Sequence, residues 1–409
     1  MAFTTNEFAV LHKQFPSWSQ LESYLTGPDG GSFRVAGEGR YRVIRYVKGI
    51  SDLRVPHGKW MRSVIWDTQT NLPVCVAPPK AEPGDLPTGM AVSTLQVQDF
   101  LDGMMINVYR TVENPSSLQI ATRTQLGATG RFYSQKSFAE LFDEALVAMR
   151  MTKDDILSLL ATPTEMVPYH FASLILQHPE HRVVARCRSP HLWVVHTGAV
   201  HDGGEVSLNQ DCTHWPFKLQ LPSHRIPEGT SLEAFFSDLC ATNGWFYQGL
   251  TLKDASGKRW RLRNPTYLYL RALRGSEATS VERFLRLRSE SKISEYLKHY
   301  SEERQIFWDL EQKLRSVTEQ VYAGYCEVHK AHEKKLEDLP WEIRPCVFKL
   351  HSLYLEQLRP NQEKLFKKHA VELVNNLPLY EQKRLLAPPP KGGLVLAAAA
   401  LATAATQTP

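Results

Sequence analysis

The sequence has no C-x-x-C pair. Its six cysteines, Cys75, Cys187, Cys212, Cys240, Cys326 and Cys346, are scattered, which excludes a zinc ribbon and a thioredoxin-type motif. Nor does Met1 to Val10 carry a basic segment followed by a long apolar one, so the start does not read as a signal peptide. Reduced thiols in an intracellular compartment, cytoplasmic or nuclear, are the expectation. Long apolar runs are missing as well. The longest, Leu394 to Ala405, is Ala-rich and shorter than the ~20 residues a bilayer span needs. Pro388-Pro389-Pro390 and Gly392-Gly393 cut it off from the rest. Finally, no charge dominates: 48 Lys plus Arg stand against 43 Asp plus Glu, a formal charge of +5. That permits a polyanionic partner without demanding one.

What is present suffices for a core. Of 409 residues, 43% are hydrophobic and 22% charged, which excludes disorder as the dominant state. From about Phe33 to Leu273 the chain is punctuated by Gly and Pro. It holds short runs of β-branched and aromatic residues: Tyr41–Tyr46, Ser63–Trp66, Met105–Tyr109 and Leu192–Val195. Arg259-Trp260-Arg261-Leu262-Arg263 alternates basic and apolar, the period of a half-buried strand. Ser137 to Arg150 is predicted helical, with Phe138, Leu141, Phe142, Ala145 and Leu146 on one face. From Ser280 onward the period becomes helical throughout, broken at Pro340, Pro345 and Pro360. The expected organisation is an extension over 1–32, an α+β domain over 33–276, an all-helical domain over 277–386 and a low-complexity, disordered tail over 387–409.

Four segments carry candidate chemistry. Arg62 and Lys80 are predicted to meet on a strand pair, where two cations suit phosphate oxygens; two solvated side chains are the alternative. Asp102-Gly103 opens a strand with a turn that lets backbone approach a ligand closely, or is an ordinary turn. Gln248-Gly249 enters a strand ending in Lys253, followed by a hairpin turn over Asp254–Gly257. Arg261 and Arg263 share one strand face. Two such arginines repel unless an anion lies between them or water surrounds both.

In that order these segments resemble the nucleotidyltransferase domain of ATP-dependent RNA ligases of the bacteriophage T4 RNA ligase 1 type. The resemblance covers about Arg34 to Arg274, and it extends to ligase-like proteins of large DNA viruses. The family's series is an arginine-led strand, a lysine, K-x-D-G, a strand beginning E-G, and a K-x-K strand followed by a tyrosine. Arg62, Lys80, Asp102-Gly103, Gln248-Gly249 and Arg261-x-Arg263 with Tyr267 fall in that sequence. Gln177–Val184 resembles the segment between, and Ala121-Thr122-Arg123 the T-R-G element. The resemblance implies mainly antiparallel or mixed sheets with a helical domain behind them, ATP and Mg2+ as cofactors, and RNA ends as partner.

The departures are as informative. The lysine that captures the ATP α-phosphate is here Phe100, and the E-G glutamate is Gln248. The K-x-K lysines become Arg261 and Arg263, which keep their charge and fork onto phosphate. Two readings follow. Either another lysine is the nucleophile, Lys80 before Lys253, with Asp102 beside it, or the protein holds nucleotide or RNA without bonding to phosphorus. The expected nucleotide contacts are Arg62, Gly103, Gln248, Lys253, Arg261 and Arg263. Arg123, Trp260, Tyr267 and Arg271 are the expected RNA contacts, as basic and aromatic residues that interleave. A third reading is a structural or virion-associated protein with partners on its helical domain. Arg283, Arg286 and Arg288 are expected on a solvated helix face. His178, His181, His191 and His196 match no zinc spacing, so no metal site is assigned.

Overall fold

In the computed structural model, residues 2–82 and 90–387 are described. The tail from Pro388 on lies outside them. The chain divides into two compact units, with the break between Leu273 and Arg274. The first mixes α and β; the second is helical.

Fourteen strands are described: β1 (Ala2–Thr5), β2 (Arg34–Ala36), β3 (Tyr41–Arg45), β4 (Val64–Asp67), β5 (Leu72–Val76), β6 (Gln96–Asp99), β7 (Met104–Thr111), β8 (Gln119–Thr122), β9 (Tyr169–Gln177), β10 (His191–Val200), β11 (Val206–Asn209), β12 (Ser223–His224), β13 (Gly249–Lys253) and β14 (Arg259–Arg263). They form a six-stranded sheet, β1-β11-β10-β9-β7-β8, and two four-stranded sheets, β2-β3-β4-β5 and β12-β6-β13-β14. The ladders between these strands are antiparallel.

Strand β9 explains how the large sheet is covered. Its alternate residues point to opposite faces, and both faces are apolar. Tyr169 and Phe171 pack with Val64, Ile65, Trp66 and Val76 of the β2–β5 sheet. Ala172, Leu174 and Leu176 pack on the helix Phe138–Ala148. That helix buries the five residues its period predicts, and Ser137 and Glu140 close its N-terminus with reciprocal hydrogen bonds. On the third sheet, Val97, Leu250, Leu252 and Trp260 form a smaller core with Leu232 of the helix Leu232–Asn243.

The N-terminal residues do not stand apart as an extension. β1 pairs with β11, and Phe8, Leu11, Leu21 and Leu25 of the next two helices join the core between the first two sheets. The sequence reading missed this because those helices are short and their partners lie far along the chain.

The helical unit is built on Ser280–Ser289, the long helix Arg304–His329, Arg344–Leu353, Lys367–Asn376 and Leu379–Leu385, with shorter turns between. Phe284, Leu287, Tyr296, Phe307, Leu314, Val321 and Tyr325 fill its interior. Pro345 opens a helix rather than breaking one, since the first turn has no use for its missing N–H. The expected solvated face of Arg283, Arg286 and Arg288 is corrected. Arg283 is 2% exposed, next to Phe284 and one turn from Leu287 on the inward side, and pairs with Glu303 at 2.8 Å. Arg286 and Arg288 pair with Glu277 and Glu311 at 2.5 and 3.1 Å.

Candidate phosphate-binding site

The register of the third sheet sorts its side chains. Lys253 sits opposite Arg259, Thr251 opposite Arg261, and Gly249 opposite Arg263. On the other side of β13, Gln96 and Gln98 face Lys253 and Thr251. These rows share one face; Val97, Leu250, Leu252, Trp260 and Leu262 share the other, apolar one. The alternation read from the sequence thus extends across three strands, and it adds Arg259 to the basic face.

Phe100 continues that face. Its N–H donates to the Gly249 carbonyl at 2.8 Å, which sets it beside Gly249. The phenyl ring lies 5.8 Å from the Arg261 guanidinium and 5.5 Å from that of Arg263, an arrangement of cations on the electron-rich ring. Gly249 makes this row tight. Its φ is +141°, and a Cβ there would stand 1.9 Å from the Leu262 carbonyl oxygen. The glycine is required by the neighbouring strand.

Arg62, Lys80 and Arg123 come to the same place from elsewhere in the chain. Lys80 and Arg123 flank the Tyr46 ring at 5.6 and 4.5 Å. Burial brings the Arg62 guanidinium down to about 10, and the charges of Arg123, Arg261 and Arg263 push the same way against the field of Tyr46. Arg259 is lowered to about 9 by burial and by Arg62 and Arg261. Lys253, 1% exposed, is lowered to about 7 by burial and then by Arg259; its amine donates to the Val195 carbonyl at 3.2 Å. Arg261 and Arg263 are lowered too, mainly by burial. Among the described residues, no carboxylate pairs with any of these seven cations, and the buried Nε atoms of Arg123 and Arg259 have no hydrogen-bond partner.

A hollow of about 740 Å³ opens here, lined by Arg54, Lys59, Lys80, Arg261 and Arg263, with Leu53, Val55, Pro56 and Ala81 as apolar wall. Glu82 is the single acid among its described lining residues, while Arg54 pairs with Asp52 at 2.9 Å and Lys59 with Glu7 at 4.0 Å. Beneath the cations runs a neutral network. His196, held well below its ordinary value by burial and by Arg259 and Lys253, shares its Nε2–H between the Val76 carbonyl at 3.0 Å and Ser173 Oγ at 3.2 Å. Ser173 donates to Asn107 at 2.8 Å, and Asn107 to Ser63 at 3.2 Å. The carbonyl of Val76 fixes the tautomer, because a carbonyl only accepts.

The structure therefore gathers Arg62, Lys80, Arg123, Lys253, Arg261 and Arg263, and it withholds others. Trp260 is 3% exposed in the apolar core of its sheet and presents no ring to a base. Tyr267 is fully buried beside Asp102 and Arg271. Asp102 spends one carboxylate oxygen on the N–H groups of Val184 and Ala185, at 2.8 and 2.9 Å. That is an anchoring role. Gly103 is small because β9 passes close: a Cβ there would meet the Leu176 carbonyl oxygen at 2.7 Å. Gln248 is buried, and its own carbonyl accepts from Asn264 N–H at 3.0 Å. Lys80 is exposed, and the buried amine is Lys253. Sequence reasoning missed Tyr46 and Arg259; only for Arg259 did the local pattern hold a signal.

The histidines named above diverge. His191 bonds the Lys218 carbonyl, His196 lies in the network, and His178 meets Glu144 at 3.0 Å. Glu144, His178 and Glu180 lie close enough together to hold a metal, but the Lys136 ammonium bridges the two carboxylates at 2.8 and 2.6 Å. The hollow does not suit a protein-held Mg2+ either, since its described lining offers one carboxylate against five cations. The chain matches no protein-family model, and no curated protein matches it. No helix among the described residues is long and apolar enough to cross a membrane.

Proposed function

We propose that the first unit is a nucleotidyltransferase-type module of the RNA-ligase kind. It holds the phosphates of a nucleoside triphosphate or of an RNA end without bonding covalently to them. One observation carries this reading: Arg62, Lys80, Arg123 and the basic face of β13–β14 cluster beside one hollow, which Lys80, Arg261 and Arg263 line, and no carboxylate among the described residues pairs with them. A cluster of that kind repels itself, and an anion removes the repulsion. Guanidiniums suit phosphate oxygens because they fork onto two at once. The position expected to hold the capturing amine carries Phe100, already faced by Arg261 and Arg263.

Binding of an end-labelled single-stranded RNA tests this. Affinity should fall steeply with salt, as phosphate contacts release counterions. It should weaken in Arg261→Ala plus Arg263→Ala. Equal binding by that variant would remove the reading.

The enzyme reading has an observation of its own. An amine attacks phosphorus only when neutral, and Lys253, lowered to about 7, meets that condition in part. Its burial stands against it. Incubation with labelled ATP and Mg2+ decides: retained label lost in Lys253→Ala, or in Lys80→Ala, would restore catalysis and name the nucleophile.

A further inference from the structure

In the helical unit two imidazoles lie face to face. His329 is the last residue of the long helix Arg304–His329, and His351 stands near the end of Arg344–Leu353. Their ring centroids are 3.7 Å apart and their planes differ by 6°. Tyr325, one turn before His329, flanks both rings, at 5.3 Å from His329 and 6.3 Å from His351, and Tyr354 lies 6.4 Å from His351. Nε2 of His329 and Nδ1 of His351 are buried and have no hydrogen-bond partner among the described residues. A buried nitrogen with no acceptor near it is better left unprotonated, so the neutral pair carries its protons on the other two nitrogens. A further proton on either ring puts an N–H where nothing accepts it. A second charge would then face the first at stacking distance.

The surroundings give such charges no relief. Tyr322, Tyr325 and Cys326 come from the long helix, Lys330 and His332 from the residues after it, Tyr354 from the widened turn Tyr354–Leu358, and His369 from the helix Lys367–Asn376. Burial pushes Tyr325 up to about 12, so it stays neutral. Lys330 adds a positive charge, its amine on the Leu365 carbonyl at 2.9 Å. The carboxylates of these elements are engaged elsewhere: Glu319 with Lys367, Glu327 with Lys334 and Glu381 with Lys349, at 2.7, 3.1 and 2.7 Å. Glu356 and Glu372 line a hollow with Lys349 and His369 that neither His329 nor His351 lines. Glu333 and Glu337, in the linker, are exposed. A helix C-terminus by itself favours a cation, yet burial lowers His329, and the fields of His351 and His332 lower it further. The linker folds back on the same helix, for a Cβ at Gly324 would stand 3.0 Å from Leu339 and 3.5 Å from Ile343.

We propose that His329 and His351 form an acid-sensitive latch, which holds the end of the long helix to helix Arg344–Leu353 and releases it when the pair takes up protons. Neutral, the rings stack and close the contact. Charged, they repel, and the linker over residues 330–343 is freed with them. The device lies within the helical unit and does not depend on the hollow of the mixed unit. His329 is held below its ordinary value of 6.5, so the unfolded chain takes the proton first. The latch is therefore whole above that value and weakens as pH falls below it.

Hydrogen exchange of the full chain, corrected for the intrinsic rate at each pH, reads the latch directly. Protection of the amides over residues 325–330 and 347–354 should fall about tenfold from pH 7 to pH 5. His329→Phe with His351→Phe keeps two stacked rings and removes both proton sites, so its protection should be the same at the two pH values. Equal protection at pH 7 and pH 5 in the wild-type chain would overturn the proposal. So would a fall in the double variant as large as in the wild type. Because that variant alters a packed contact, the histidine ring signals in an NMR titration of the wild-type chain give a second reading. His329 should take its proton below 6.5, and closer to 6.5 in His351→Asn, where the facing charge is gone. A wild-type His329 that titrates in one ordinary step at 6.5, unmoved by His351→Asn, would overturn the latch whatever the fate of the double variant.

Discussion

Two groups of arginines, one in each unit, have opposite surroundings. In the helical unit, Arg274 and Arg283, both nearly inaccessible, share the carboxylate of Glu303 at 2.6 and 2.8 Å. In the mixed unit, Arg62, Arg259, Arg261 and Arg263 crowd together with no described carboxylate; burial lowers all four, and repulsion by neighbouring arginines adds to it at Arg62, Arg259 and Arg263. The residue type is the same; what differs is whether the chain supplies the anion. A buried charge with its partner built in is architecture. A buried charge without one leaves the protein open to an anion from outside. Net charge conceals the difference, since +5 over 409 residues says nothing of where pairing fails.

The sharpest way to break the contrast is to remove the built-in anion. Glu303→Gln should cost about 3–5 kcal/mol in urea unfolding, as expected when one partner of a buried pair is lost. An unchanged midpoint would mean that Glu303 does not hold the helical unit together. Next, supplying the missing anion should stabilise the mixed unit. Tripolyphosphate at a hundredfold excess over its Kd should add about 2.7 kcal/mol, read as a rise in Tm that shrinks between low and high salt. No rise at any salt concentration would erase the distinction. Arg261→Ala plus Arg263→Ala should lower affinity for that anion at least tenfold, about 1.4 kcal/mol, and leave stability unchanged or raised. A loss of stability like that of Glu303→Gln would make these arginines structural.

The last comparison is pH dependence. Lys253 has a folded value near 7, against 10.5 for a free amine. Below pH 7 both states carry the proton, and the folded one bears the full penalty of a buried charge. Between pH 7 and about 10.5 the unfolded state holds more protons, so stability rises with pH. Lys253→Met should flatten that slope in denaturant titrations at pH 7, 8 and 9. An unaltered slope would assign it to other groups.

The sequence exposed this region unevenly, for physical reasons. The period of Arg259–Arg263 was legible, because alternation is a local property of a strand; it places Arg261 and Arg263 on one face. The same alternation turns Trp260 into the core, so a basic–aromatic interleave need not be a base platform. Asp102 and Gly103 were legible as a turn but not in their roles, which depend on Val184, Ala185 and Leu176, more than seventy residues away in the chain.

Strand β9 lies between β7 and β10, with one face in each of the two large cores. Its amides, from Tyr169 to Gln177, can meet deuterium only when both cores melt, which makes them the slowest exchanging set in that unit. Their exchange rate then serves as a clock for whatever the unit binds. An anion settling among the guanidiniums would slow it by the full factor of its binding, along the whole strand and not only at Ser173 beneath the site.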